Sequence, residues 1–283
     1  MKLILALFVF LGFAPQICLA YIMPTRTILS KTSEKAGSGA YSIDQEVQFA
    51  NGDETISLRE TWIIEDERNM RLTVTGTKEL QGQFSLQFLY KNGQKISLQG
   101  GSAKAEKVPE DFLERFLNFR KVDSFASVLT YFKIIPPNAL KKKVYAKAAD
   151  FKYEAEPWVR YSRTGGVVNY AFGNPTPPNE ERGYPGIWIE QDHFVIRKLR
   201  LPSQVEMVAD NYGEFSRDLF YPRSRTVRWG NNAVNIRLLT VSGKPANVAK
   251  LMQPSSLDVP NNWNGISSMP VRDVITEFYS RFR

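Results

Sequence analysis

Between residues 41 and 98 the chain alternates apolar and polar side chains in five successive runs, and two of the breaks are Asn-Gly. In the first run Tyr41, Ile43, Val47 and Phe49 share one face, while Ser42, Asp44, Glu46 and Gln48 take the other. Strand side chains point alternately to opposite faces, so a period of two marks a half-buried strand. Asn51-Gly52 follows, a dipeptide that tolerates the positive φ of a tight hairpin turn. The second run sets Ile56, Leu58, Trp62 and Ile64 against Ser57, Arg59 and Thr61, with Glu60 as the one polar exception on the apolar face. A charged turn at 65–69 leads into Met70, Leu72 and Val74. Phe84, Leu86, Phe88 and Tyr90 form a fourth run, which Asn92-Gly93 turns into a short fifth at 95–98. Short turns between alternating runs predict an antiparallel meander.

The middle of the chain changes period. Gln99-Gly100-Gly101-Ser102 reads as a loop, and 109–119 carries Phe112, Leu113, Phe116 and Leu117 at helical spacing. Asp123 is placed to cap a second helix with Phe125, Val128, Leu129 and Phe132 on one face, stopped by Pro136-Pro137. The stretch 138–156 reads as partly helical. Strands resume at 158–161 and 167–172, and Asn174-Pro175-Thr176-Pro177-Pro178-Asn179 is an exposed loop. Strands at 187–190 and 194–199 flank a hairpin tip at Gln191-Asp192-His193, and further strands are predicted at 204–209, 225–229 and 234–241. From Pro270 onward, Val271, Val274, Ile275, Phe278 and Phe282 mark a helical face. The expectation is a mainly β (α+β) chain of ten to twelve strands and three to five helices, one domain over 21–283.

The N-terminus bears on compartment. Lys2, the apolar run 3–14 and the small residues of Cys18-Leu19-Ala20 have the form of a signal peptide cleaved near Ala20, leaving a periplasmic chain. The run is too short for a transmembrane helix, which needs roughly 20 apolar residues. Cleavage removes the only cysteine, Cys18, and with it any disulfide or thiolate metal site. Pro15-Gln16-Ile17 before Cys18 fits lipid attachment poorly. Loss of Lys2 lowers the formal charge from +8 to +7, a basic balance that favours contact with anionic surfaces such as lipid headgroups. Apart from Lys141-Lys142-Lys143 the basic residues are scattered, without the aromatic–basic pattern of nucleic-acid recognition, so no nucleic acid is expected.

Conventional catalytic signatures are missing. The sole histidine, His193, sits at a turn with no nucleophile motif to serve, and one histidine cannot build a zinc site. Glu65-Asp66-Glu67 lacks the spacing and glycine of a calcium loop. Asp44 and Glu46 share a strand face as a nominal carboxylate pair but read as surface. Gly100-Gly101 lacks the Gly-Lys-Ser/Thr of a phosphate loop. The expectation is no enzyme, no cofactor and no metal. What stands out is apolar: aromatics make up 12% of the chain and the strands gather many on one face. That face is either an ordinary packed core or a concavity for hydrocarbon, whose burial is worth about 0.8 kcal/mol per CH₂.

The order of elements carries a resemblance. A leading helix over 24–36, with Ile28 and Leu29 apolar, precedes the meander, and the later strands end in Leu251-Met252-Gln253-Pro254-Ser255-Ser256-Leu257-Asp258-Val259. This arrangement resembles the outer-membrane lipoprotein-sorting family (LolA/LolB-like), the periplasmic carrier and its anchored receptor. The resemblance implies an antiparallel incomplete β-barrel of about eleven strands, with helices closing the concave side over a hydrophobic cavity. The absent attachment cysteine implies the soluble carrier type. Extra sequence at 138–156 and 174–183 departs from the family pattern. The implied function is a soluble, non-catalytic periplasmic carrier or binding protein for lipoprotein acyl chains or another lipidic ligand. It would act in outer-membrane lipoprotein sorting or envelope biogenesis. Candidate cavity-lining residues are Val47, Ile56, Leu58, Trp62, Leu72, Phe84, Leu86 and Phe88. The alternative is an envelope scaffold without a small ligand, engaging partners through edge strands or the Pro175–Pro178 loop. A membrane-embedded barrel is disfavoured because the C-terminal residues read as a helix.

Overall fold

The computed structural model describes residues 21–141 and 154–283. The first six strands are β1 (Tyr41–Asn51), β2 (Glu54–Ile64), β3 (Met70–Gly76), β4 (Ser85–Lys91), β5 (Gln94–Gln99) and β6 (Ser102–Lys107). The other seven are β7 (Val159–Thr164), β8 (Val167–Phe172), β9 (Gly186–Glu190), β10 (Ile196–Arg200), β11 (Glu206–Phe215), β12 (Leu219–Trp229) and β13 (Asn232–Gly243). They form one antiparallel sheet in the order β6-β5-β4-β3-β2-β1-β13-β12-β11-β10-β9-β8-β7. Each half is a meander of sequence neighbours, and the halves join where β1 lies against β13, with Val47 opposite Ile236.

Two expectations need correction. The described residues form thirteen strands, not about eleven, and the terminal strands β6 and β7 do not pair, so the sheet is open rather than closed into a barrel. The extra strand on the first half is β6, where a loop was expected to begin. Gly100 and Gly101, at φ 58° and 80°, make a two-residue hairpin turn between Gln99 and Ser102. All six residues of β6 are exposed, so no apolar alternation announces it. Its Lys104, Glu106 and Lys107 put charge on the free edge, which discourages pairing with other chains.

The sheet curves strongly. Flat, β4 and β12 would lie five strand spacings apart, about 24 Å. Yet Phe112 stacks on Tyr90 of β4 with centroids 4.5 Å apart, while Glu114, two residues on, hydrogen-bonds Tyr221 and Arg225 of β12. One short segment spans the gap only if the strands wrap around it.

Three helical segments from the first half of the chain lie in the concavity. Helix α1 (Thr25–Glu34) buries Ile28 and Leu29 completely, as its spacing predicted. The helix expected over 109–119 contracts to a single 3₁₀ turn, Glu114–Leu117, although Phe112, Leu113, Phe116 and Leu117 all point inward. Helix α2 (Val122–Tyr131) starts two residues earlier than expected, so Asp123 falls in its first turn instead of capping it.

The chain after β13 takes an unusual route. Alternation along β4 sends Phe88 and Tyr90 inward and Leu89 outward, and on the outer face Leu89 and Ile96 pack with Met252 and Leu257. Residues 248–257, including α3 (Val248–Leu251), therefore form a strap over the convex side. Arg71 ties it down by donating to the carbonyls of Leu251 (3.3 Å) and Ser256 (3.0 Å), and Lys91 by donating to that of Met252 (3.0 Å). The chain then passes the start of β4, which β5 leaves unpaired, and there Ser85 and Asn262 exchange backbone hydrogen bonds at 3.0 and 2.7 Å. The chain finally enters the concavity as α4 (Arg272–Glu277), continued by a wider π-type turn, Phe278–Phe282.

Candidate functional site

The candidate site is the concave face of β1–β4 and β12 together with the C-terminal segment lying on it. All eight residues predicted to line a cavity point into the interior: Val47, Leu58, Trp62, Leu72 and Leu86 are fully buried, and Ile56, Phe84 and Phe88 nearly so. They belong to one apolar cluster. The space in front of them is taken by the chain itself. Phe278 meets Phe49 edge-on at 5.4 Å and Trp229 at 6.1 Å, Tyr279 lies against Phe84 at 6.3 Å, and Phe282 meets Trp229 edge-on at 4.8 Å. Aromatic pairs at these separations contribute about 0.5–1.5 kcal/mol each beyond the area they bury.

Polar chemistry sits in the middle of this apolar face. Glu60, the one exception in the alternation of β2, is fully buried and receives three side-chain donors: Gln45 Nε2, Trp62 Nε1 (3.1 Å) and Arg283 Nε (3.0 Å). Beside it Glu114 receives Arg225 Nη1 (2.9 Å) and the Tyr221 hydroxyl, with Arg283 3.8 Å away. Arg225 also donates to Gln45, which links the two halves of the cluster. Burial works to raise the Glu114 carboxyl, but Arg225, Arg283 and Tyr221 outweigh it and hold the group below the usual carboxylate range. Burial likewise pushes the Tyr221 hydroxyl well above its ordinary range, so it stays a neutral donor. Two carboxylates thus face two guanidinium groups, a neutral set that tolerates burial because each charge is paired. Lys95, buried beside Phe88, donates to the Tyr279 carbonyl at 2.8 Å and faces Glu106 at 3.8 Å. Burial pulls its ammonium down to about 8, against the pull of Glu106.

Open space lies elsewhere. A cavity of about 20 Å³ between α1 and Phe116, Phe119, Phe125 and Phe194 has room for about one water. A cleft of about 590 Å³ opens at the surface between Tyr131, Lys133, Tyr184 and Pro202, with Asp111 on its wall. Asp111 accepts from Ser203 Oγ and from Arg281 Nε, both at 2.7 Å, so the cleft abuts the outer end of the C-terminal segment.

The other candidate groups are structural. His193 is exposed on the β9–β10 turn with Nδ1 2.7 Å from Glu190, and Arg197 also meets that carboxylate, at 3.6 Å. Asp44 and Glu46 are not a working pair, since each holds its own arginine at 2.9 Å, Arg59 and Arg237 respectively. Asp66 accepts from the backbone N–H of Arg68 and Asn69 and so shapes the turn after β2. Among the described residues no group of three or more His, Cys, Asp or Glu side chains could hold a metal ion, and no helix is long and apolar enough to cross a membrane. The signal-peptide reading of 1–20 and most of the ambiguous stretch 138–156 lie outside the described residues.

The fold has known counterparts. A DUF1329 family protein of Desulfovibrio piger superposes with a TM-score of 0.50 at 8% identity, covering 83% of this chain and 98% of that one. A LolA superfamily protein of Nitrosomonas europaea gives 0.49 at 8% identity, with 83% and 100% covered. A candidate outer membrane lipoprotein-sorting protein domain of Vibrio parahaemolyticus gives 0.49 at 9%, with 82% and 97% covered. At identities of 8–9% these are likenesses of fold alone. No protein-family model matches the sequence, and no curated protein does.

Sequence reasoning found the apolar face but missed what occupies it. Glu60 interrupting a perfect alternation was the available signal. A lone carboxylate on a buried face requires a cationic partner, and Arg283 supplies it from 223 positions away.

Proposed function

We propose that this chain is a non-catalytic binding protein for acyl chains or another lipidic ligand, taken up on the concave face of the sheet. In this reading residues 21–283 act as one domain, exported to the periplasm and serving lipoprotein sorting or envelope biogenesis. Val47, Ile56, Leu58, Trp62, Leu72, Phe84, Leu86 and Phe88 are the surface the hydrocarbon meets. One observation carries the reading: the ring-lined face of β1, β2, β4 and β12 is covered by a tethered helical segment and not by another strand. Such a cover can leave without breaking a ladder of backbone hydrogen bonds. Native mass spectrometry of the protein purified without detergent, with titration of a fluorescent fatty acid, tests it. Co-purifying lipid or saturable probe uptake supports the proposal, and a clean protein that ignores the probe overturns it.

A second reading rests on the same packing. Rings meshed across the whole face make a filled core, which suits an envelope scaffold that engages proteins through its exterior. That scaffold predicts the negative outcome of the lipid experiments together with a specific, saturable protein partner.

A further inference from the structure

The C-terminal segment is held by features that resemble those holding a ligand more than those of a finished core. Its apolar side, Phe278, Tyr279 and Phe282, meets rings on β1 and β12 and that of Phe84, just ahead of β4. Its end carries a cation, Arg283, that reaches Glu60 and sits 4.7 Å from the Phe278 ring and 5.7 Å from that of Trp62. The fit is incomplete, because Arg283 Nη2 is buried without a hydrogen-bond partner among the described residues. An orphaned buried donor loses its water partners without replacement, which weakens the closed form. The segment hangs from a strap fastened on the opposite face, so it can swing out while α3 stays bound to Arg71 and Lys91.

Charge then decides what can replace it. With Arg283 in place, the charges of the four side chains of Glu60, Glu114, Arg225 and Arg283 sum to zero. With Arg283 withdrawn, Arg225 still serves Glu114, and Glu60 keeps only the neutral donors Gln45 and Trp62. Lys95 loses the Tyr279 carbonyl when the segment leaves, but its charge stays balanced by Glu106 at 3.8 Å. A buried carboxylate facing an apolar groove without a cation is strongly unfavourable. An anionic headgroup would add repulsion, and a neutral one would leave the charge uncompensated.

We propose that residues 272–283 are a built-in occupant of the ligand groove, displaced by a single-chain amphiphile whose cationic, hydrogen-bond-donating head takes the place of the Arg283 guanidinium at Glu60. This rests on the lipid-binding reading above and adds the headgroup class and the means of opening.

The experiment compares dodecylamine, dodecanoate and dodecanol on the full chain with Cys18→Ser and a spin label at Ser280→Cys, an exposed position on the segment. Dodecylamine should bind at least tenfold tighter than the other two and should convert the label from a slow to a fast spectrum. In Glu60→Gln the amine preference should collapse to less than threefold. Arg283→Met gives an independent arm: it leaves Glu60 uncompensated in the closed form, so dodecylamine affinity should rise at least tenfold. Equal binding of the three amphiphiles, an immobile label on saturation, or an Arg283→Met affinity equal to the parent's would overturn this inference and leave lipid binding standing. No binding of any amphiphile overturns both.

Discussion

Removing Arg225 is expected to destabilise the protein far more than removing Arg225 and Glu114 together. Arg225 and Glu114 are both fully buried, with Nη1 and Oε2 2.9 Å apart, and Arg225 also satisfies Gln45. At that separation and an effective dielectric near 20, the attraction is about 6 kcal/mol, most of it consumed by desolvation of the two ions. Arg225→Met deletes the attraction and leaves the desolvation of Glu114 standing, with only the Tyr221 hydroxyl and Arg283 at 3.8 Å to offset it. The expected loss is about 3–5 kcal/mol. Adding Glu114→Leu removes the stranded charge and restores neutrality between Glu60 and Arg283, so the double variant should recover at least half of that loss. Urea unfolding followed by tryptophan fluorescence measures both. The pH dependence gives a second handle. Arg225, the main electrostatic cause of the depressed Glu114 pKa, is gone in Arg225→Met, so burial raises the folded pKa. A folded state that binds the proton more tightly than the unfolded chain gains stability as pH falls, so the gap to the parent should narrow from pH 7 to pH 5. A single variant costing under 1 kcal/mol, or a double variant losing the sum of the two single losses, would refute the reasoning.

Three further outcomes follow from other parts of the structure. Lys95 titrates near 8 when folded and near 10.5 when unfolded, so the unfolded chain binds more protons between those values and stability rises with pH. Against Lys95→Met, the parent should therefore gain about 2 kcal/mol between pH 7 and pH 9.5 in chemical denaturation, and a flat difference would contradict this. Arg71→Met cuts the ties to Leu251 and Ser256 and should cost about 2–3 kcal/mol, with hydrogen exchange accelerated over 248–257 and unchanged in β12. At Gly76 an added Cβ would lie 2.2 Å from the Leu80 carbonyl oxygen, so Gly76→Ala should lower stability by about 1–3 kcal/mol in the same assay.

The parts of the fold legible in the sequence are those where one face is wet and the other dry. β1 and β2 declare themselves because Tyr41, Val47 and Trp62 alternate with residues that reach solvent. β6 does not, because a fully exposed edge strand has no dry face to pattern. Residues 109–119 mislead for the opposite reason: Phe112, Leu113, Phe116 and Leu117 fall at helical spacing, yet they are drawn inward by different neighbours. Phe112 stacks on Tyr90 and Phe116 packs on Phe119 and Phe132, and only one 3₁₀ turn survives. The apolar face of the site was readable for the same reason as the strands. Its occupant was not, because nothing local to Phe278 or Arg283 says that Phe49, Trp229 and Glu60 lie opposite.

The seam between β1 and β13 sets the order in which such a sheet can be completed. Every other neighbouring pair of strands is close in sequence, so each meander can zip from its hairpins, whereas the seam joins Val47 to Ile236 across about 190 positions and bears the entropy of closing that loop. Until it closes, the edge of β1 from Tyr41 to Phe49 has no ladder partner, and the two half-sheets expose their oily surfaces separately. The C-terminal segment reaches both halves, touching Phe49 and Phe84 on one and Trp229 on the other, so its arrival fastens them together. In this protein the segment that follows the strap also clasps the two half-sheets together.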